Sequence, residues 1–166
     1  MTRQKIFDQN YWRDRLTEAG QEHHAIYLCT PDVWGKIAAT HKKILSGLIS
    51  ENDSVIDAGC AWGRLLSLMP ENWRGDYLGV DLSPDFIELA KRSNPARSGQ
   101  FEVGDIRHLS SIARVRYDWA VLISIKQMVL DNAGQGAWSR METELRTVAD
   151  RVLILEYDED DEGEVL

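Results

Sequence analysis

Three evenly spaced aspartates, each at the end of a short apolar run, constrain the fold of this chain more than any other feature. The runs lead into Asp57, Asp81 and Asp105, and two further apolar runs follow at 119–124 and 152–156. Helical stretches separate several of these runs. Short apolar strands that alternate with helices predict a parallel sheet covered on both faces, which is a doubly wound α/β fold.

The positions of the three aspartates also predict a binding site. In open α/β sheets, ligands lie outside the carboxyl ends of the strands, beside the point where the strand order reverses. Carboxylates collected at that edge repel one another. We therefore expect Asp57, Asp81 and Asp105 to serve a ligand rather than to end their strands by chance.

A glycine-containing turn follows the first of these strands. Gly59 and Gly63 allow the backbone to turn sharply and to approach a ligand without an intervening Cβ. A dinucleotide-binding fingerprint would place glycines at 59, 61 and 64, but this chain has Ala61 and Arg64. Asp57 would repel a pyrophosphate, whereas a carboxylate suits a ligand that carries a cationic amine.

With these motifs the sequence resembles the class I S-adenosylmethionine-dependent methyltransferases. Their first motif, Asp/Glu-x-Gly-x-Gly-x-Gly, is matched from Asp57 to Gly63 except that Ala61 replaces the middle glycine. The second motif is matched at 79–83 and the third at 104–106. The segment 117–124 is similar to the family's fourth strand, and the resemblance covers about residues 54 to 156.

The resemblance implies S-adenosylmethionine as the cofactor and requires no metal. It places Asp81 on the ribose hydroxyls, Asp105 on the adenine amino group and Ile106 against the adenine ring. Arg64 could hold the methionine carboxylate, and Cys60 is expected to be structural. The cofactor-binding residues expected from the resemblance are Asp57, Gly59, Cys60, Ala61, Trp62, Gly63, Arg64, Asp81, Leu82, Asp105, Ile106 and Ser124.

The methyl acceptor is not specified by these motifs. Tyr11-Trp12-Arg13 is similar to the aromatic N-terminal element that closes over the cofactor in many small-molecule methyltransferases, although it also reads as a helix that packs its aromatic side chains on the core. The candidates for contact with the acceptor are Tyr11, Lys126 and Gln127, and His23 or His24 could supply a general base.

Three functions remain open from the sequence alone. The first is a methyltransferase acting on a small molecule, ahead of protein or RNA. The second is a catalytically silent S-adenosylmethionine-binding subunit that regulates or stabilises a partner. The third is another enzyme with a related sulfonium ligand, such as an aminopropyl transferase, although no acidic cluster for an amine substrate follows the fourth strand between 124 and 140.

Charge and composition argue against several partners. The net charge is −8, and residues 156–166 contain seven acids and no base, so the rest of the chain is nearly neutral and unsuited to DNA. The Asn/Asp-Pro-Pro-Tyr/Phe motif of DNA-base methyltransferases is also missing after the fourth strand. The sequence has no apolar run that would span a bilayer. A charged N-terminus and two cysteines, Cys29 and Cys60, predict a cytoplasmic location.

We expect three regions in the chain. Residues 1–52 form an N-terminal helical lid or extension, 53–157 the α/β core, and 158–166 an acidic tail. The family's sheet has seven strands, whereas this sequence predicts a sheet truncated after the fifth strand, with Val152 to Tyr157 as an uncovered edge. Because an uncovered edge invites pairing, the sequence also predicts a homodimer.

Overall fold

A six-stranded sheet forms the centre of the computed structural model, which describes residues 5–19, 30–156 and 163–166. Its strand order is β3-β2-β1-β4-β5-β6, and all neighbouring pairs are parallel except β5 and β6. The order reverses between β1 and β4, as in doubly wound folds. The strands are β1 (Val55–Ala58), β2 (Tyr77–Asp81), β3 (Phe101–Val103), β4 (Tyr117–Ile123), β5 (Ala149–Leu155) and β6 (Glu164–Val165).

Helices flank this sheet, and local sequence signals fix where several of them begin. Ser83 caps the helix that begins at Pro84, because its hydroxyl accepts a hydrogen bond from the Phe86 amide and Pro84 suits the first turn. Short 3-10 helices lie at Lys5–Phe7, Pro95–Gln100 and Ile106–Ser111. The α-helices are α1 (Gln9–Ala19), α2 (Pro31–Leu48), α3 (Arg64–Leu68), α4 (Pro84–Ser93), α5 (Lys126–Ala133) and α6 (Gln135–Val148).

The strands are apolar because both faces of the sheet are buried. On one face, Leu122 of β4 belongs to the same buried cluster as Met141 and Leu145 of α6. On the other face, Trp119 of the same strand belongs to a cluster that contains Leu45 of α2. Such burial on both sides is what the continuous apolar runs predict for a parallel sheet.

The sixth strand corrects the prediction of an uncovered edge after the fifth strand. β6 pairs antiparallel with β5, with Leu153 opposite Val165 and Ile154 opposite Glu164. Gly163 precedes it with a φ of +74°, and a Cβ there would lie 3.2 Å from a side-chain carbon of Ile44. The acidic composition does not prevent this strand, because both of its residues are exposed. β5 itself ends at Leu155, and Tyr157 lies outside the described residues.

Within the three described ranges, no helix combines the length and the apolar character needed to cross a membrane.

Candidate functional site

A cleft of about 210 Å³ opens at the carboxyl ends of the strands, where the strand order reverses. One half is lined by the ends of β2 and β3, through Asp81, Leu82, Asp105 and Ile106. The other half is lined by the segment that links β4 to α5. The glycine turn after β1 lies between the two halves, and the N-terminal residues cover the cleft.

The glycine turn requires an unusual backbone at two cleft-lining positions. Gly59 has a φ of +79°, and a Cβ there would lie only 2.2 Å from Cδ1 of Ile125. Ala61 has a φ of +45°, which is uncommon for a residue with a side chain. The turn therefore brings peptide groups close to the cleft, which is the arrangement that a ligand-binding loop needs.

Asp81 connects this turn to helix α4. Its Oδ2 accepts a hydrogen bond from the Ala61 amide and its Oδ1 accepts one from the Ser83 amide, both at 2.9 Å. Burial raises the pKa of Asp81 to about 6, although the two amide hydrogen bonds act in the opposite direction. Each oxygen keeps acceptor capacity for a ligand hydroxyl.

Asp57 is buried next to the same turn but does not line the cleft. Its Oδ2 accepts a hydrogen bond of 2.8 Å from the Tyr77 hydroxyl. Burial is the main cause that raises the pKa of Asp57 to about 7. The Tyr77 hydrogen bond lowers this pKa, the negative charge of Asp81 raises it, and Arg64 lowers it. Asp57 therefore joins β1 to β2 from the protein interior.

Asp105 lines the cleft and is already engaged by a neighbouring arginine. Its Oδ1 accepts a hydrogen bond from the Arg107 amide, and the Arg107 Nε lies 2.9 Å from both carboxylate oxygens. Burial raises the pKa of Asp105, but the contacts with Arg107 outweigh that effect and lower it overall. The Arg107 guanidinium also lies 4.2 Å from the centre of the Phe7 ring. An adenine amino group at Asp105 would share this carboxylate with Arg107.

Ser124 follows β4 and, like Ala61, is a residue with a side chain that has a positive φ, here +60°. Its amide donates to the Leu155 carbonyl at 2.7 Å. Its Oγ is buried and has no hydrogen-bond partner among the residues that the structure describes. Ile123 and Ile125, on either side of it, also line the cleft. A buried hydroxyl without a partner carries an energetic cost that a ligand can remove.

The N-terminal residues form the remaining wall. Ile6, Phe7, Trp12 and Arg15 line the cleft, and the Trp12 indole donates to the Ile6 carbonyl at 2.8 Å. The Trp12 ring lies 6.4 Å from the ring of Phe86 on α4. Tyr11 makes an edge contact with Trp12 and does not line the cleft. Trp12 and Arg15 share one face of α1 because they are three positions apart.

The structure brings only some of the expected cofactor-binding residues together at the cleft. Those that line it are Gly59, Ala61, Asp81, Leu82, Asp105, Ile106 and Ser124. Asp57, Cys60, Trp62, Gly63 and Arg64 do not line it. Burial raises the pKa of the Cys60 thiol, in agreement with a structural residue.

Trp62 and Arg64 face helix α2 instead. The Trp62 ring stacks on Trp34 with a centroid distance of 5.8 Å, and the Arg64 guanidinium lies 4.1 Å from the centre of the same ring. The Nη2 of Arg64 is also 3.4 Å from Nδ1 of the buried His41. These contacts hold the start of α3 against α2 and explain why Arg64 is directed away from the cleft.

The two candidates for acceptor contact after β4 also lie outside the cleft lining. The Lys126 ammonium pairs with Glu164 of β6, and its Nζ is 5.6 Å from the centre of the Trp138 ring. The Gln127 side chain donates to Asp131 at 2.8 Å. His23 and His24 lie outside the described residues. In the part of the chain that the structure describes, no group of three or more His, Cys, Asp or Glu side chains could hold a metal ion.

Sequence reasoning missed several side chains that do line the cleft. They are Ile6, Phe7, Arg15, Phe86, Ile123, Ile125, Met128 and Val129. A usable signal was present, because Ile125, Met128 and Val129 have the spacing of one helical face. The polar residues between them, expected to contact the acceptor, are directed elsewhere by the helical period.

Comparison with known proteins identifies the family. A family model described as a methyltransferase domain matches residues 55–147, which is more than half of the chain. The chain therefore belongs to the methyltransferase domain family. The resemblance to class I S-adenosylmethionine-dependent methyltransferases, the cofactor and the doubly wound fold are thereby confirmed. No curated protein matches the chain at a significant level.

Solved structures share this fold at low sequence identity. A TehB-like methyltransferase from Corynebacterium glutamicum is 21% identical with a TM-score of 0.54, and the match covers 87% of this chain and 68% of that one. The PH0226 protein from Pyrococcus horikoshii is 20% identical with a TM-score of 0.59, covering 90% and 61%. Magnesium protoporphyrin IX methyltransferase from Synechocystis, with bound S-adenosylhomocysteine, is 21% identical with a TM-score of 0.61, covering 92% and 68%.

Proposed function

We propose that the chain transfers the methyl group of S-adenosylmethionine to a small-molecule acceptor in the cleft beneath the N-terminal segment. The observation that carries this proposal is the composition of the cleft. It has carboxylates on the β2 and β3 side and an almost wholly apolar lining on the β4 and α5 side. The methyltransferase of Synechocystis described above is named for a small-molecule acceptor, magnesium protoporphyrin IX, which supports the same class of substrate.

The residues present fit the cofactor. Asp81 would hold the ribose hydroxyls, and Asp105, supported by Arg107, would hold the adenine amino group beside Ile106. The backbone of Gly59 and Ala61 would lie along the methionine portion, since Gly59 leaves no room for a side chain. Ser124, which the resemblance also placed with the cofactor, lines the other half of the cleft, between β4 and α5.

The main task of the protein in methyl transfer is to position the acceptor. When bound, S-adenosylmethionine supplies a methyl carbon that its positively charged sulfur already activates for attack. The chain's task is to hold the acceptor in line with that carbon and to exclude water. The side chains of Ile6, Ile125 and Met128 serve the second purpose because they are apolar and line the cleft.

Calorimetric titration with S-adenosylhomocysteine tests the cofactor site. We expect binding to the full chain and a loss of about 1.5–3 kcal/mol for Asp81→Asn, because one carboxylate acceptor becomes an amide donor. Asp85→Asn is the matched control, since Asp85 is an exposed aspartate in the first turn of α4, four residues after Asp81. Absence of binding to the unmodified chain, together with a thermal shift on addition of NAD, would contradict the cofactor assignment.

Methyl transfer separates an enzyme from a silent binding subunit. We expect label to move from methyl-labelled S-adenosylmethionine into a small-molecule extract and not into added protein or RNA. Normal cofactor binding without transfer to any of these three pools would favour the silent subunit.

A further inference from the structure

The half of the cleft that follows β4 forms a separate chemical environment. Ile6, Ile125 and Val129 belong to one apolar cluster, and Met128 packs against it. The 3-10 helix that carries Ile6 packs on α5, whereas α1, which carries the cleft-lining Arg15, packs on α4. Arg15 therefore reaches the cleft from helix α1, on the β2 side. The wall around Ser124, on the β4 side, is apolar.

Ser124 is the polar group of this wall, and two independent observations set it apart. Its backbone has a φ of +60°, a conformation that costs energy for any residue with a Cβ. Its Oγ is buried without a hydrogen-bond partner among the described residues. Backbone strain and an unsatisfied hydroxyl at the same residue, in a cleft, are features that binding of a ligand explains.

We propose that the Ser124 hydroxyl and the surrounding apolar side chains form the acceptor subsite, which takes an apolar organic molecule with a single hydroxyl, thiol or amine as its nucleophile. This inference rests on the proposed methyl transfer. The Ser124 Oγ accepts a hydrogen bond from the nucleophile and directs its lone pair toward the methyl carbon. The new bond forms as the carbon–sulfur bond breaks, the bonding pair goes to sulfur, and the acceptor's proton passes to bulk solvent at the mouth of the cleft.

The apolar wall explains the restriction on the substrate. A charged or multiply polar acceptor would leave its polar groups without partners against Ile6, Ile125 and Met128, and burying such groups is costly. An acceptor with an apolar ring and one polar group can pack its ring against the apolar wall and form a hydrogen bond with Ser124. Specificity of this kind depends more on the penalty for burying unpaired polar groups than on the attraction between the acceptor and the wall.

A panel of matched acceptors tests the substrate class. Naphthol, thionaphthol and naphthylamine are incubated with the full chain and methyl-labelled S-adenosylmethionine, beside the same compounds carrying a ring carboxylate. We expect at least one of the uncharged compounds to be methylated at least about tenfold faster than its carboxylated counterpart. Methylation of the carboxylated compounds alone, or of none of the panel, would overturn the inference.

Two variants of Ser124 separate the hydroxyl from the backbone. Ser124→Ala and Ser124→Gly both remove the hydroxyl, but glycine adopts the positive φ without strain. We expect both to lower kcat/KM for the preferred compound by about tenfold, with affinity for S-adenosylhomocysteine within about twofold of the unmodified chain. The glycine variant should melt at the higher temperature of the two. Ser139→Ala, an exposed change on α6, is the control and should leave all three quantities unchanged.

The outcomes distinguish this inference from the proposed function. If Ser124→Ala weakens S-adenosylhomocysteine binding as much as it lowers turnover, the hydroxyl belongs to the cofactor site and the inference is wrong. If Ser124→Gly retains turnover, the hydroxyl has no role in acceptor binding. If the unmodified chain does not bind S-adenosylhomocysteine at all, the proposed function fails as well.

Discussion

Ala61 occupies a backbone conformation that suits glycine, at the place where the family's first motif has one. Its φ is +45°. We expect Ala61→Gly to raise the free energy of unfolding by roughly 0.5 kcal/mol, because relief of about 1–2 kcal/mol of strain exceeds the entropic cost of glycine, about 0.5–1 kcal/mol. Urea denaturation measures the change. Ala39→Gly in the exposed interior of α2 should instead destabilise by about 1 kcal/mol, and equal effects would disprove the strain argument.

Asp57 makes the stability of the fold depend on pH. Its pKa is about 7 in the folded chain against an ordinary value of 3.8, so the folded state binds a proton that the unfolded state releases between those values. This contribution to stability is complete below pH 3.8 and is lost as the pH rises through 7.

Asp57→Asn removes that titration while keeping an acceptor for the Tyr77 hydroxyl. We expect the variant to equal the unmodified chain near pH 4 and to exceed it near pH 8 by at least about 1 kcal/mol, or about 2–4 °C in Tm. Thermal melts at the two pH values measure the difference. A variant that is equally stable or less stable near pH 8 would show that Asp57 is ionised in the folded state at no cost.

At the residue scale, the sequence predicted the identity of the site better than its geometry. The aspartates and the glycine turn were recognisable because their chemistry and spacing are local properties. The direction of the Arg64 side chain was not recognisable, because it depends on contacts with Trp34 and His41 of helix α2. A motif identifies which residues are present at a turn, and packing decides which of them face the ligand.

Helix α5 shows the same contrast between what local sequence predicts and what long-range packing decides. The sequence predicted that the segment after the fourth strand faces the acceptor, but it did not predict a helix there. The face that the helix presents follows from the helical period through Ile125, Met128 and Val129. Lys126 is turned away and pairs with Glu164, a contact that no local pattern indicates because it joins the helix to the end of the chain.

Helix α1 and the 3-10 helix before it should become more ordered when a ligand binds. Because Ile6, Phe7, Trp12 and Arg15 line the cleft, a ligand there should restrict the whole segment. We expect S-adenosylhomocysteine to slow amide hydrogen exchange across residues 6–19 by about fivefold or more. Helix α6 has no residue in the cleft lining and is the internal control. Equal protection of both helices would indicate a global stabilisation, and protection of neither would argue against closure over the ligand.

For the whole molecule, β6 changes what the sheet edge implies. The amide of Leu166 donates to the Val152 carbonyl at 2.8 Å, so the outer edge of β5 is partly paired within the chain. We expect removal of residues 163–166 to make the apparent mass rise with concentration, because the exposed edge can pair with another chain. Light scattering measures this against the 18.9 kDa of the full chain, and Glu164→Gln, which keeps the strand, is the control.

The same measurement tests the homodimer predicted from the sequence. A full chain that stays at 18.9 kDa at high micromolar concentration would exclude that dimer. If the shortened chain also stays monomeric, β6 does not protect the edge.

The architecture of the sheet was predictable because burial on both faces requires continuous apolar runs. β6 was not predictable in the same way, because a two-residue exposed strand needs no apolar pattern. Its place depends on Gly163 fitting against Ile44, Leu153 and Leu155, which are distant in sequence.

The strand order also has a consequence for how the chain is made. β1 pairs with β2 on one side and with β4 on the other. β4 begins more than fifty residues after β1 and is therefore synthesised later. During synthesis from the N-terminus, β1, β2 and β3 can assemble while one edge of β1 remains unpaired. Until β4 has been made and has paired with β1, the nascent half-sheet keeps one edge of its central strand open to pairing with another chain.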